Sequence, residues 1–144
     1  TKRDDIKYKI VDNKKFTLYT IKKLFPINNN SSLIEDFWKG IKNENNEFKN
    51  TKRRYGISEL IKNNTEEFYY HVGLEEKWDN ASIFTISSSS WFVITTRSFK
   101  AVDVNNCINN TEEIYLPSLN YKLKENNYLE IYYDDYVELW FPLT

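Results

Sequence analysis

The strongest constraint on this chain is a rhythm: short segments alternate apolar and polar side chains every second residue, and only two stretches break into helical spacing. In residues 14–25, KKFTLYTIKKLF, Phe16, Leu18 and Thr20 fall on one face and Thr17, Tyr19 and Ile21 on the other. That is the pattern of a strand. Pro26 and the Asn28-Asn29-Asn30 run end it. In residues 67–75, EFYYHVGLE, Phe68, Tyr70, Val72 and Leu74 share a face opposite Tyr69, His71 and Glu75. Residues 55–61 are the predicted antiparallel partner, joined through Asn63-Asn64. Residues 83–86 and 91–99 read as two further strands separated by four serines, and 128–133 with 136–143 as a closing hairpin across Asp134-Asp135.

The first helical stretch opens on Ser32-Leu33-Ile34-Glu35, which has the form of a capping box with Ser32 as N-cap. Ile34, Phe37, Trp38 and Ile41 follow at the spacing of one helical face, and the helix should fade near residue 44. Asp103 is expected to cap a second helix through Val104, Cys107, Ile108, Thr111 and Tyr115, stopped by Pro117. Each half therefore reads strand–helix–strand–strand. Two such modules predict an α+β fold: a largely antiparallel sheet, two main helices, and a groove at the pseudo-twofold junction.

Composition narrows the functions this fold can serve. At 144 residues the chain fits one domain, and residues 1–144 are read as such. A net charge of −1 argues against a phosphate-binding surface, so no direct nucleic-acid contact is expected. The basic cluster Lys49, Lys52, Arg53 and Arg54 sits in an Asn-rich stretch and reads as a solvated loop. No apolar run approaches a membrane span, and TKRDDIKYKIV at the N-terminus lacks the apolar core of a signal peptide. The lone Cys107 excludes an intramolecular disulfide and suits a reducing compartment, so a cytoplasmic location is expected. Sequons such as Asn80-Ala81-Ser82 arise by chance in so Asn-rich a chain.

Glycine occurs only at 40, 56 and 73, which leaves no Gly-rich phosphate loop. His71 is the only histidine, so neither a metal site nor any other cofactor is expected. A Cys107–His71 dyad loses to core burial of Cys107 on a helical face. The unusual feature is aromatic content: 4 Trp, 11 Tyr and 9 Phe. Tyrosines in excess over phenylalanines suit surfaces that are half apolar and half wet, as clefts are.

Several segments, taken in order, resemble the GyrI-like, or effector-binding, domain family. They are Phe16-Thr17-Leu18-Tyr19, Phe37-Trp38, Tyr55-Gly56-Ile57, Tyr69-Tyr70-His71-Val72-Gly73-Leu74-Glu75, Tyr115-Leu116-Pro117-Ser118, Leu129-Glu130-Ile131-Tyr132 and Phe141-Pro142-Leu143. The resemblance implies tandem modules with a ligand groove at their junction, in domains that serve as C-terminal sensors of bacterial regulators of the AraC and MerR types or stand alone. A DNA-binding domain elsewhere in the full-length chain is then expected, the start at Thr1 being read as that of a processed or excised chain. In multidrug-sensing members a buried glutamate on the penultimate strand meets cationic aromatic drugs among tyrosines, and the matching residue is Glu130. Tyr132 shares its face, with Glu138 and Trp140 close to the matching pair of the last strand. The chain departs from the pattern at Tyr115, where tryptophan is usual, in the four-serine stretch and in the Asn-rich second helix.

The candidate site is thus Glu130 as charged anchor, with Tyr132, Trp140, Tyr70, Trp91, Phe37, Tyr19 and Tyr115 as aromatic walls and Glu138 as a second carboxylate. A carboxylate in an aromatic face is costly to bury without a cation or hydrogen-bond donors, and aromatic faces attract cations. The expected partner is a small aromatic or cationic molecule. Two other readings are carried: a hydrolase of strained cyclopropane-bearing compounds, with Glu130 as general acid or base, and a protein-binding inhibitor similar to the gyrase-inhibiting member.

Overall fold

The computed structural model describes residues 7–124 and 128–144, so Thr1 and most of the charged N-terminal segment lie outside the described residues. Six strands follow in chain order: β1 (Tyr8–Pro26), β2 (Arg54–Leu60), β3 (Glu67–Leu74), β4 (Ser82–Thr96), β5 (Tyr128–Tyr132) and β6 (Val137–Leu143). Helix α1 (Ser31–Glu44) lies between β1 and β2, and α2 (Ala101–Asn110) between β4 and β5. Helix α2 runs on through a π-helical turn, Thr111–Tyr115, into a last turn, Leu116–Ser118. Two strand–helix–strand–strand modules are therefore present, as the alternation predicts.

Their assembly adds closure to the predicted largely antiparallel sheet. The strands close a barrel in the order β1-β3-β2-β5-β6-β4, every pair antiparallel. Each module supplies three consecutive staves, joined at one seam by β2–β5 and at the other by β1–β4. The β1–β4 seam is long because both strands are longer than the alternation suggests. Strand β1 begins at Tyr8, and β4 runs unbroken through the four serines. The serine run is held where Ser89 pairs with Lys14 of β1 and Ser90 with Leu143 of β6. The register between β1 and β4 slips around Lys14, next to Asn13, whose φ of 56° is left-handed. This bulge bends the strand, as barrel closure requires.

Period-two alternation divides the apolar residues between two faces. Phe16, Leu18, Tyr55, Ile57, Trp91, Val93, Leu129, Ile131 and Trp140 form one buried cluster. They come from five strands that are not all neighbours, so they fill the barrel interior. On the outer face, α1 covers β1 and β3, with Phe25, Phe68, Tyr70, Val72 and Leu74 packed against Ile41, Phe48 and Trp78. Helix α2 covers β4 and β6, with Phe92, Ile94, Leu139 and Phe141 against Val104, Ile108 and Leu116. The outer face of the central pair, β2 and β5, lies between the two helices.

Two helix starts differ from the sequence reading. Asn30, not Ser32, is the N-cap of α1, and no side chain caps the helix; Asn30 Nδ2 instead donates to the carbonyls of Pro26 and Ile27. Those bonds fasten the loop, and Ser31 Oγ is left to accept from Asn105 of α2 at 3.1 Å. Helix α2 starts two residues before Asp103, whose carboxylate accepts from Ser98 Oγ at 2.6 Å. No helix among the described residues is long and apolar enough to cross a membrane.

Candidate functional site

Strands β2 and β5 pair over five positions, Arg54↔Tyr132 to Ser58↔Tyr128, and the middle rung sets Gly56 opposite Glu130. The outer face of that ladder presents Arg54, Gly56 and Ser58 from β2 and Tyr128, Glu130 and Tyr132 from β5. Above it, between α1 and α2, lies a cavity of about 1070 Å³. Its floor is this ladder with Phe68 and Tyr70, and its walls include Ile34 and Trp38 of α1 and Val104 and Ile108 of α2. The predicted groove at the junction of the halves is this cavity, and it is larger than most pockets that hold drug-sized molecules, about 300–1,000 Å³.

Glu130 is 6% exposed. Its Oε1 accepts from Tyr70 Oη at 2.8 Å and from Tyr132 Oη at 2.7 Å. Tyr70 Oη in turn accepts from Trp38 Nε1 at 3.0 Å, which ties α1 to the carboxylate. Gly56 makes this network possible. A Cβ there would collide with the Tyr70 hydroxyl and approach Glu130 Oε1 to 3.0 Å. Its φ is not positive, so the glycine provides space and not a special backbone conformation. Among the described residues Oε2 accepts no hydrogen bond, which leaves it available to a guest.

Burial raises the Glu130 pKa above its ordinary 4.5, and the bonds from Tyr132 and Tyr70 work against that rise. The same burial, with the negative charge of Glu130, holds the Tyr70 and Tyr132 hydroxyls well above the usual phenol value. Both therefore stay protonated and donate. The result is a desolvated carboxylate whose inner oxygen is fixed and whose outer oxygen is not. The surrounding rings add an aromatic lining: Trp38 meets Tyr132 edge-on at 5.2 Å, and Phe99 stacks on Tyr132 at 6.5 Å.

Of the nine sequence-derived candidates, Glu130, Tyr132 and Tyr70 come together here. The structure places the other six elsewhere. Trp91 and Trp140 lie in the barrel interior, their rings 5.9 Å apart. Glu138 faces the same interior, accepting from Tyr133 Oη at 3.0 Å and Trp140 Nε1 at 3.2 Å. The cause is register: Glu130 pairs with Leu139, so Glu138 and Trp140 project from the opposite face of the sheet. Phe37 packs on Phe25 at 5.6 Å, Tyr19 packs with the α1 cluster, and Tyr115 with the α2 cluster.

Trp38, one residue past Phe37, is the helical aromatic that lines the cavity. Ile34, four residues before it, shares its face, so helical spacing already paired the two. Phe48, Phe99 and Tyr128 also belong to the site or its support, and no local motif marked them; Phe68 and Gly56, present in the sequence pattern, were not read as site residues. Arg54, read as loop, instead starts β2 and lines the cavity, with Nε donating to the Phe48 carbonyl at 2.8 Å. The rest of that basic cluster stays outside the sheet, and Arg53 pairs with Glu75 at 3.0 Å.

Three solved structures share this architecture. An integron cassette protein from Vibrio cholerae superposes with a TM-score of 0.71 at 17% identity, covering 95% of each chain. SAV2435, solved bound to tetraphenylphosphonium, gives 0.74 at 16% identity, covering 96% of this chain and 94% of its own. The EcmrR C-terminal domain gives 0.59 at 12%, covering 96% and 98%. No curated protein sequence matches the chain. The sequence family described as Cass2, integron-associated effector binding protein, matches residues 9–143. With that match spanning both modules and the cavity between them, the chain belongs to the family of integron-associated effector binding proteins.

Proposed function

We propose that the cavity binds a bulky aromatic cation and that Glu130 is its charged anchor. One observation carries this reading: a nearly fully buried carboxylate has one oxygen held by two tyrosine hydroxyls and the other without a donor, beneath an aromatic-lined cavity. A cation seated there would neutralise the buried charge and lie against ring faces, and both interactions strengthen as water leaves. SAV2435, of similar fold, is bound to a ligand of this chemistry. In the cell the domain would act as the sensor of a transcription regulator, its occupancy biasing an attached DNA-binding domain.

Titration with tetraphenylphosphonium, followed by tryptophan fluorescence, tests the anchor. Glu130→Gln should weaken binding at least tenfold. The wild-type affinity should also fall as pH is lowered through the raised Glu130 pKa, because only the ionised carboxylate pairs with a permanent cation. Equal affinity in wild type and Glu130→Gln would remove Glu130 from the role.

A further inference from the structure

Lys39, Lys42, Lys49 and Arg54 line the cavity that holds Glu130, as do Glu35, Glu112 and Asp134, and neither Arg54 nor Lys42 makes an ion pair with a buried carboxylate among the described residues. Arg54 stands on the same face of β2 as Gly56 and pairs in register with Tyr132. It is therefore a diagonal neighbour of Glu130, about 7–8 Å away along such a ladder. No Arg54–Glu130 ion pair occurs among the described residues, and Tyr132 takes up Glu130 instead. The Arg54 side chain is only 18% exposed, and among the described residues its one ion pair is to Asp134, 84% exposed, at 3.9 Å. A pair that open contributes little.

Lys42 lines the same cavity from the last turn of α1, with Nζ 5.4 Å from the centre of the Trp38 ring. Residues one helical turn away are Trp38, Lys39, Asn45 and Asn46, so its own helix offers it no carboxylate. Lys39, by contrast, has Glu35 one turn before it. No ion pair to Lys42 is present among the described residues. Burial and the charge of Arg54 together lower the Lys42 pKa, as expected of two cations turned toward one space. Lys42 at the C-terminal end of α1 also suits the helix dipole, but that does not account for Arg54.

We infer that Arg54 and Lys42 form an anion subsite, and that the natural effector is amphoteric, carrying an anionic oxygen group such as a carboxylate in addition to its cationic aromatic part. The proposal rests on the reading of Glu130 as cation anchor and specifies the other end of the same ligand. A guanidinium with one edge fixed by a carbonyl presents its remaining N–H groups in a fork suited to carboxylate oxygens. The cavity is large enough for both ends. An effector of this kind would be held in one orientation, which a purely cationic probe would not be.

Two rhodamine dyes that differ only in a free carboxylate or its methyl ester separate the possibilities, read by fluorescence anisotropy on the intact chain. The free-carboxylate dye should bind at least tenfold more tightly than the ester. Arg54→Gln and, independently, Lys42→Gln should bring the two within about threefold by weakening only the carboxylate dye. Lys42→Gln changes a residue exposed at the mouth and keeps the test usable if Arg54→Gln fails to fold. Glu130→Gln should weaken both dyes alike. A stronger ester, equal dyes in the wild type, a discrimination that survives Lys42→Gln, or no binding of either dye overturns the anion subsite. Dyes that bind Glu130→Gln as tightly as wild type overturn the anchor instead, so the two failures are distinguishable.

Discussion

Ionising Glu130 works against the pull of its surroundings, because burial holds its pKa above 4.5 while two phenols offset part of that cost. A carboxyl whose folded pKa is raised stabilises the fold when protonated. That contribution is complete below the unfolded value and is lost as pH rises through the folded one. Above that folded value the empty site therefore carries the cost of its buried charge, and Glu130→Gln, whose amide oxygen can still accept from both tyrosines, should relieve it. The expected gain is about 1 kcal/mol, or roughly 3 °C in Tm, from a substitution that weakens ligand binding. A lower Tm in thermal melts without ligand would mark Glu130 as a structural residue. Gly56→Ala tests the same network from the opposite strand. Its methyl displaces the Tyr70 hydroxyl from Oε1, so about 2 kcal/mol of stability should be lost in denaturant melts, with cation affinity falling as well.

Among the elements, β3 carries a second buried polar centre on its inward face. His71 Nδ1 lies 2.9 Å from Thr20 Oγ1 of β1, and Nε2 lies 2.7 Å from Glu59 Oε1 of β2, so one ring joins three strands. The neutral ring satisfies both partners, with Thr20 donating to Nδ1 and Nε2–H to Glu59. Burial lowers the His71 pKa, and Glu59 opposes this only in part. The stability this confers should be complete above the unfolded value of about 6.5 and be lost as pH falls through the lower folded value. Thermal melts across that range should show it in the wild type, and His71→Gln should flatten the profile there; an unchanged profile in that variant would exclude His71 as its source. The same elements show what the sequence could reveal. Alternation in Phe68, Tyr70, Val72 and Leu74 was enough to find β3 and the face those residues share, whereas the spacing of Ile34, Phe37, Trp38 and Ile41 gave one apolar face of α1 without separating its cavity side, Ile34 and Trp38, from Phe37. The face of β6 was not legible relative to β5, since it depends on the register set by the Tyr133–Tyr136 turn. Glu138 and Trp140 turned inward for that reason. Nor could local propensity reveal that the four serines continue β4, because the pairings that hold the run, Ser89 with Lys14 and Ser90 with Leu143, are to residues distant in sequence.

For the whole molecule, barrel closure leaves no free sheet edge among the six strands, so the floor of the cavity is braced on both sides and the two helices are its adjustable walls. Helices α1 and α2 touch through Asn105 and Ser31, and a guest that separates them should break this hydrogen bond first. Amide exchange at the N-terminus of α1 should respond to tetraphenylphosphonium more than exchange in β2 or β5, and the reverse ranking would make the sheet the responsive element. The middle rung of the β2–β5 ladder, Gly56 facing Glu130, has one more consequence. A near-symmetric frame would ordinarily offer a guest two equivalent ways round, or room for two copies. At this rung one half contributes the carboxylate and the other the space beside it, so the site has a single polarity. Calorimetry should accordingly find one ligand per chain.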